Sequence, residues 1–311
     1  MFSIYKSIEN KIVSLDTIEK GAWVNLVNPT GKEIIDFSEK LSIPVEHLKA
    51  ALDEEERARI EVDDECTVVL IDVPVASKDT PERGIYYTIP LGIIITNENI
   101  VTVSLREISV LRPFFENNMK SFWTFKKTRF LLQILYRNSK VYLQYLRNID
   151  KTSDVIENRL HKSLKNEELI QLLELEKSLV YFSTSLKSNE IVLEKIQRAN
   201  LIKMYPEDME LLEDVIIENK QAIEMANIYS NILTGTMDAY ASVISNNLNM
   251  VMKFLTSVTI VISIPTMVAS FFGMNVHVPF QNNPHAFLII FMMSILFSVI
   301  LSVFMVRKEL F

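Results

Sequence analysis

The chain has 311 residues, a formal net charge of −7, a hydrophobic share of 49% and a mean hydropathy of +0.17. That length allows one large domain with an appended segment, and the acidic excess argues against a nucleic-acid partner. The single cysteine, Cys66, excludes an intramolecular disulfide framework and gives no metal–thiolate cluster; it reads as a buried or edge residue in a reducing compartment.

Met1 to Asn10 carries Lys6 and Glu9 and has no apolar core, so it is not a signal peptide, and the N-terminal region is expected in the cytoplasm. Residues 1–127 read as a cytoplasmic α/β domain, a mixed sheet flanked by helices. Ala22 to Leu26 is a short strand stopped by Asn28-Pro29. Lys32 to Lys40 and Pro44 to Leu52 have helical spacing, with Ile35, Phe37 and Leu41 on one apolar face and Val45, Leu48 and Leu52 on the next. Cys66 to Val75 and Tyr86 to Ile95 are β-branched runs expected of buried strands, and Asn97-Glu98-Asn99 turns the chain into a returning strand, Ile100 to Ser104.

Residues 128–253 read as a cytoplasmic stalk of long helices. Phe130, Ile134, Val141, Tyr145 and Ile149 mark one apolar face. Asn166 reads as the cap of a second helix, with Glu167 and Glu168 in its first turn and a stripe of Leu169, Leu172, Leu173, Leu179 and Phe182. Asn200 to Tyr205 is a break, and Pro206 suits a helix start. From there one helix is expected to run to Gly273, weakened at Gly235 by about 1 kcal/mol. Its cytoplasmic part would be roughly 70 Å long at the standard helical rise. One face keeps heptad-like spacing, from Ile223, Ala226, Ser230 and Leu233 through Met237, Tyr240, Ile244, Asn247 and Val251 to Phe254, and is expected to pack against partners.

From Phe254 to Val306 there is no Asp, Glu, Lys or Arg. Two spans, 254–272 and 286–306, each approach the roughly 20 apolar residues that cross a bilayer. The loop between them, 273–285, holds Pro279, Gln281, Asn282, Asn283 and Pro284 and is too polar to stay in lipid. A transmembrane hairpin is therefore expected, followed by a tail, 307–311. Lys253, Arg307 and Lys308 flank the spans and the loop has no basic residue, which places both chain ends in the cytoplasm and the loop outside. A multi-pass protein of the cell membrane follows, and since one hairpin cannot enclose a pore, an oligomer.

A second helical line carries polar chemistry. Steps of three and four from Asp238 pick out Ser242, Ser245, Asn249, Met252, Thr256, Thr259, Ser263, Thr266, Ser270 and Gly273. Small polar residues at membrane depth either pack helices together or line a watered path. Pro265 removes a helical donor from the carbonyl of Val261. Gly273 suits a helix end through a left-handed conformation. No phosphate loop, nucleophile motif or histidine cluster appears, with the four histidines scattered at 47, 161, 277 and 285, so an enzyme is not expected.

A C-terminal hairpin whose first helix ends in Gly273-Met274-Asn275 resembles the CorA family of divalent-cation transporters. So does the approach to the membrane, Asn249-Met250-Val251-Met252-Lys253-Phe254-Leu255-Thr256, although the family usually has Tyr where this chain has Phe272. Asp53 to Arg59 resembles its acidic-then-arginine linker. The resemblance implies a homopentamer in membrane lipid that moves Mg2+ into the cytoplasm, with Co2+ and Ni2+ as further candidate ions. It implies a selectivity filter of Gly273, Met274 and Asn275. It places Asn249, Met252, Leu255 and Thr266 on the pore, beside Thr259, Ser263 and Ser270 of the polar line, and Ser263 stands where a large apolar residue is usual. Met252 and Leu255 are the expected gate. Asp214 and Asp238 match acids that bind regulatory Mg2+ between subunits, with Asp79 and then Asp72 as candidate partners. The outer loop lacks the family's acidic residues; His277 and His285 are its titratable groups. Alternatives are a Zn2+ transporter of the same superfamily, or a membrane-anchored sensor or scaffold without conduction.

Overall fold

The computed structural model describes residues 1–9, 11–77, 84–116, 122–163, 166–199, 202–280 and 283–308. The elements run β1 (Phe2–Ile8), β2 (Lys11–Leu15), β3 (Trp23–Val27), α1 (Gly31–Leu41), α2 (Val45–Ala50), β4 (Arg59–Val62), β5 (Cys66–Ala76), β6 (Tyr86–Thr96), β7 (Ile100–Ser104), α3 (Arg112–Phe115), α4 (Lys127–Ser163), α5 (Asn166–Ala199), α6 (Pro206–Phe272) and α7 (Ala286–Arg307). The chain divides into two compact units, Met1–Gly235 and Thr236–Phe311.

In the first unit the strands form a seven-stranded mixed sheet in the order β2-β1-β3-β7-β6-β5-β4. Only β3 and β7 pair in parallel, Trp23 opposite Ile100; the other neighbours are antiparallel. Central strands carry apolar side chains on both faces because both are covered. Val24, Leu26, Val68, Leu70, Val101 and Val103 meet Ile34, Phe37 and Leu48 of α1 and α2. Trp23, Val69, Ile71, Ile89 and Ile93 meet Phe130, Ile134 and Leu135 of α4 and Val192 and Ile196 of α5. Inside this core the Trp23 indole donates to Thr102 Oγ1 at 2.8 Å, and that hydroxyl donates to Asn25 Oδ1 at 2.9 Å, so the buried polar atoms are paired. Gly92 lets α2 close on β6, since a Cβ there would lie 2.7 Å from the Ala51 Cβ.

Three sequence expectations differ from the structure. The apolar face of α1 is Ile34, Phe37 and Leu41, spaced three and four apart and packed on the sheet, with Ile35 53% exposed; Thr30 and Glu33 form a capping box at its start. On α5 the buried line runs Leu172, Leu175, Leu179, Phe182 and Leu186, and Leu173 faces out. The heptad-like face of α6 is spent inside the protomer over its first half. Ala226 and Leu233 are buried there, and α6 runs along α5 through bonds from Asn219 Nδ2 to the Leu186 carbonyl (3.1 Å), Ser183 Oγ to Asn227 Oδ1 (3.2 Å) and Thr234 Oγ1 to Glu176 Oε1 (3.1 Å).

The second unit consists of the distal part of α6, the 273–285 loop and α7. Both helices are long and apolar enough to cross a membrane; α6 ends at Phe272, and α7 runs from Ala286 to Arg307. Among its described residues beyond Tyr240, only Ser257, Ser294 and Met305 are buried.

Candidate functional site

The site is built on α6. Nothing in its sequence stops the helix: Gly235 is exposed with open space around its Cα, and Pro265 lies inside the continuous helix. In the second unit one face of α6 is covered, through Ser257 and the half-buried Val258, Val261, Ile264, Pro265, Val268 and Phe272. At 3.6 residues per turn the polar line lies roughly 150° around from that face. Every member of it, from Asp238 through Asn249, Met252, Thr259, Ser263, Thr266 and Ser270 to Gly273, is exposed, as is Leu255 beside it. The small polar residues are therefore not glue for the chain's own hairpin. Serines on the covered side, Ser257 and Ser294, have that position instead.

Three hydroxyls on the line have a common orientation. Thr259 Oγ1 donates to the Leu255 carbonyl at 2.8 Å, Ser263 Oγ to Thr259 at 2.7 Å, and Thr266 Oγ1 to Ile262 at 3.4 Å. Each hydroxyl hydrogen is turned back along the helix, so the oxygen lone pairs remain for an outside donor. Thr259, Ile262, Ser263, Thr266, Met267 and Ser270 line a shallow groove on this side. Water molecules around a hydrated cation are donors of the kind such a row accepts.

The line ends at the signature tripeptide. Gly273 N–H donates to the Ala269 carbonyl at 2.9 Å, and Met274 N–H to Phe271 at 3.4 Å. Gly273 does not adopt the left-handed conformation expected of it; the glycines with positive φ are Gly21 and Gly84. A Cβ there would stand 3.2 Å from the Ala269 carbonyl oxygen, a tight contact with the group its own N–H bonds. Met274 and Asn275 are exposed beyond the helix end. In the loop, Phe280 takes φ 69° and His285 N–H donates to Asn283 Oδ1 at 2.9 Å. His277 and His285 join no cluster of three His, Cys, Asp or Glu among the described residues.

The expected regulatory acids divide. Asp214 is exposed on the first unit and Asp238 is exposed on the second. Asp79 lies outside the described residues. Of the other acids at the start of α6, Asp208 is 4% exposed, accepts from Tyr205 N–H at 3.1 Å and pairs with Arg129 at 3.5 Å, while Glu218 holds Lys140 at 2.5 Å. Asp72 faces the helices. Its carbonyl accepts from Asn138 (2.9 Å), Asn189 (2.8 Å) and Tyr142 (3.2 Å), and burial pushes its carboxyl up to about 6 against the opposing Ser185 hydroxyl.

A family model described as CorA-like Mg2+ transporter protein matches residues 19–308. The cobalt/magnesium transport protein CorA of Methanocaldococcus jannaschii is 29% identical over 288 residues, covering 91% of this chain and 89% of that protein. The cobalt/magnesium transport protein CorA of Thermotoga maritima is 27% identical over 134 residues, 43% of this chain and 38% of that one. The complete structure of the Methanocaldococcus jannaschii CorA magnesium transporter superposes with a TM-score of 0.86 at 27% identity, covering 99% of this chain and 98% of that one.

Proposed function

The chain belongs to the CorA-like Mg2+ transporter family, and from that premise we propose that it carries Mg2+, with Co2+ as a second cargo, into the cytoplasm through a homopentameric pore lined by α6. The observation that carries this reading is the exposed polar line opposite the covered face of α6. A lipid-facing helix has no use for Thr259, Ser263, Thr266 and Ser270 on its bare side, whereas copies arranged around an axis would turn them toward water. The exposed apolar side chains Ile217 (61%), Ile228 (54%) and Ile232 (57%) add a surface on α6 that other copies of the chain can cover.

The division of labour follows from the ion. Mg2+ gives up water reluctantly and prefers octahedral oxygen. A ring of Asn275 side-chain carbonyls with the Gly273 carbonyl grips the hydrated ion through its water, and the hydroxyl line relays it inward. Neutral ligands hold it weakly enough to release. Met252 and Leu255 close the path by dewetting when the subunits draw together. Mg2+ on Asp214 and Asp238 holds the subunits in that closed arrangement, and its loss from a depleted cytoplasm lets their repulsion open it. Thr266→Leu replaces a hydroxyl of the line by an apolar ring. Mg2+ uptake into proteoliposomes should fall about tenfold or more, while Val299→Leu on the exposed side of α7 leaves uptake unchanged. Equal uptake by Thr266→Leu and the parent would remove α6 from the pore.

A further inference from the structure

The free edge of the sheet carries a second cluster, far in chemistry from the carbonyl and hydroxyl line. β4 is the edge strand, and its turn into β5 closes with Asp63 N–H donating to the Cys66 carbonyl at 2.9 Å. Residues paired across such a turn share a face, and Glu61, two residues before Asp63, lies on it too. α2 covers that face. It brings His47 over the turn, with Nε2 2.6 Å from Asp63 Oδ2 and Nδ1 3.9 Å from Glu61 Oε2. Cys66 is 4% exposed beneath them. A ring nitrogen of His47, a carboxylate oxygen of Asp63 and the sulfur of Cys66 all lie within 4.8 Å of one another.

We infer that His47, Asp63 and Cys66 bind a late first-row divalent ion of the Zn2+ and Co2+ type in the soluble part of the chain. Tetrahedral Zn2+ with bonds of 2.0–2.3 Å spaces its donors about 3.3–3.8 Å apart, so the His47–Asp63 pair, at 2.6 Å, has to open by about 0.7 Å or more and the widest pair to close by at most about 1.5 Å. Imidazole, thiolate and carboxylate together select such an ion over Mg2+, which takes oxygen octahedra. Glu61 completes the arrangement. Arg59 Nε holds its Oε1 at 2.6 Å, which leaves Oε2 turned to His47 Nδ1. With Nε2 2.6 Å from Asp63 Oδ2 the ring proton lies between those two atoms, so an ion at Nε2 displaces it; Glu61 Oε2, 3.9 Å from Nδ1, has to close by about 1 Å to take the proton on that nitrogen. Asp63 is half-exposed, so the fourth position opens to water. A bound ion staples α2 to the β4–β5 edge. The inference is independent of conduction, and its donors are distinct from Asp214 and Asp238.

The test is titration of the full-length protein in detergent with Co2+ under reducing conditions. One equivalent per chain should give the strong visible bands of four-coordinate Co2+ and a thiolate-to-metal charge-transfer band. Cys66 is the single cysteine, so that band has one source. Cys66→Ser should abolish it, His47→Gln and Glu61→Gln should each weaken binding by about tenfold or more, and a large excess of Mg2+ should not displace the ion. Absence of the band from the parent protein, or unchanged affinity in His47→Gln, would reduce the cluster to a plain ion pair. Should the variants fail to fold, maleimide labelling of Cys66 in the parent protein decides. Zn2+ should slow it and Mg2+ should not, and equal rates with and without Zn2+ would overturn the site.

Discussion

Asp72 stands at the centre of β5, where the sheet is covered by α4 and α5, and its carboxyl is raised from an ordinary 3.8 to about 6. The folded chain then holds a proton that the unfolded chain has released between about pH 4 and 6, so stability falls as pH rises across that window. Asp72→Asn keeps an acceptor for Ser185 and removes the buried charge. The variant should be more stable by about 2 kcal/mol at pH 7.5, seen as a rise of several degrees in the thermal transition of the purified protein. Its stability should also lose the slope between pH 4 and 6; an unchanged slope would contradict the assignment. Single residues were the least legible part of the sequence. Ile34 and Ile35, or Leu173 and Leu175, differ only in which side of a helix they occupy, and a packing partner decides that. Gly273 was legible as a residue at a helix end, but not its backbone angle, which is not left-handed.

Among the elements, α6 and α7 read most clearly, because a charge-free run bounded by Lys253 and Arg307 has few other solutions. β5, β6 and β7 were equally plain as β-branched runs. The edge strands were not. β2 is largely exposed and β4 has four residues, so neither carries an apolar run, and β1 shows only the alternation of FSIYKSI. The cluster of His47 with Asp63 and Cys66 was hidden for the same reason: the edge hairpin that gathers it was unread. On α6, Met252 is 52% exposed on the polar line just before the membrane span. A ring of its side chains would be the narrow dewetted segment of the path. Met252→Ala should raise Mg2+ leak several-fold in proteoliposomes held at high internal Mg2+, and unchanged leak would move the gate elsewhere.

At the scale of the whole molecule the family likeness covers nearly the entire chain, with a TM-score of 0.86 over 99% of it. The assembly was legible only in outline, since periodicity asks for neighbours without counting them. The face that looked most like a seam between subunits is partly used within one. Exposed Asp214 and Asp238 are the groups proposed to sense internal Mg2+. Replacing both with Ala should shift half-inhibition by internal Mg2+ to clearly higher concentration, and an unchanged value would exclude them. The central claim is conduction through a pore that ends at Gly273-Met274-Asn275. Its most direct test is Mg2+ influx into liposomes containing the purified protein and a trapped indicator, with Asn275→Ala alongside. The account predicts influx that Asn275→Ala abolishes and that preloaded internal Mg2+ suppresses. Influx no greater than in protein-free liposomes, or equal influx through Asn275→Ala, would contradict it.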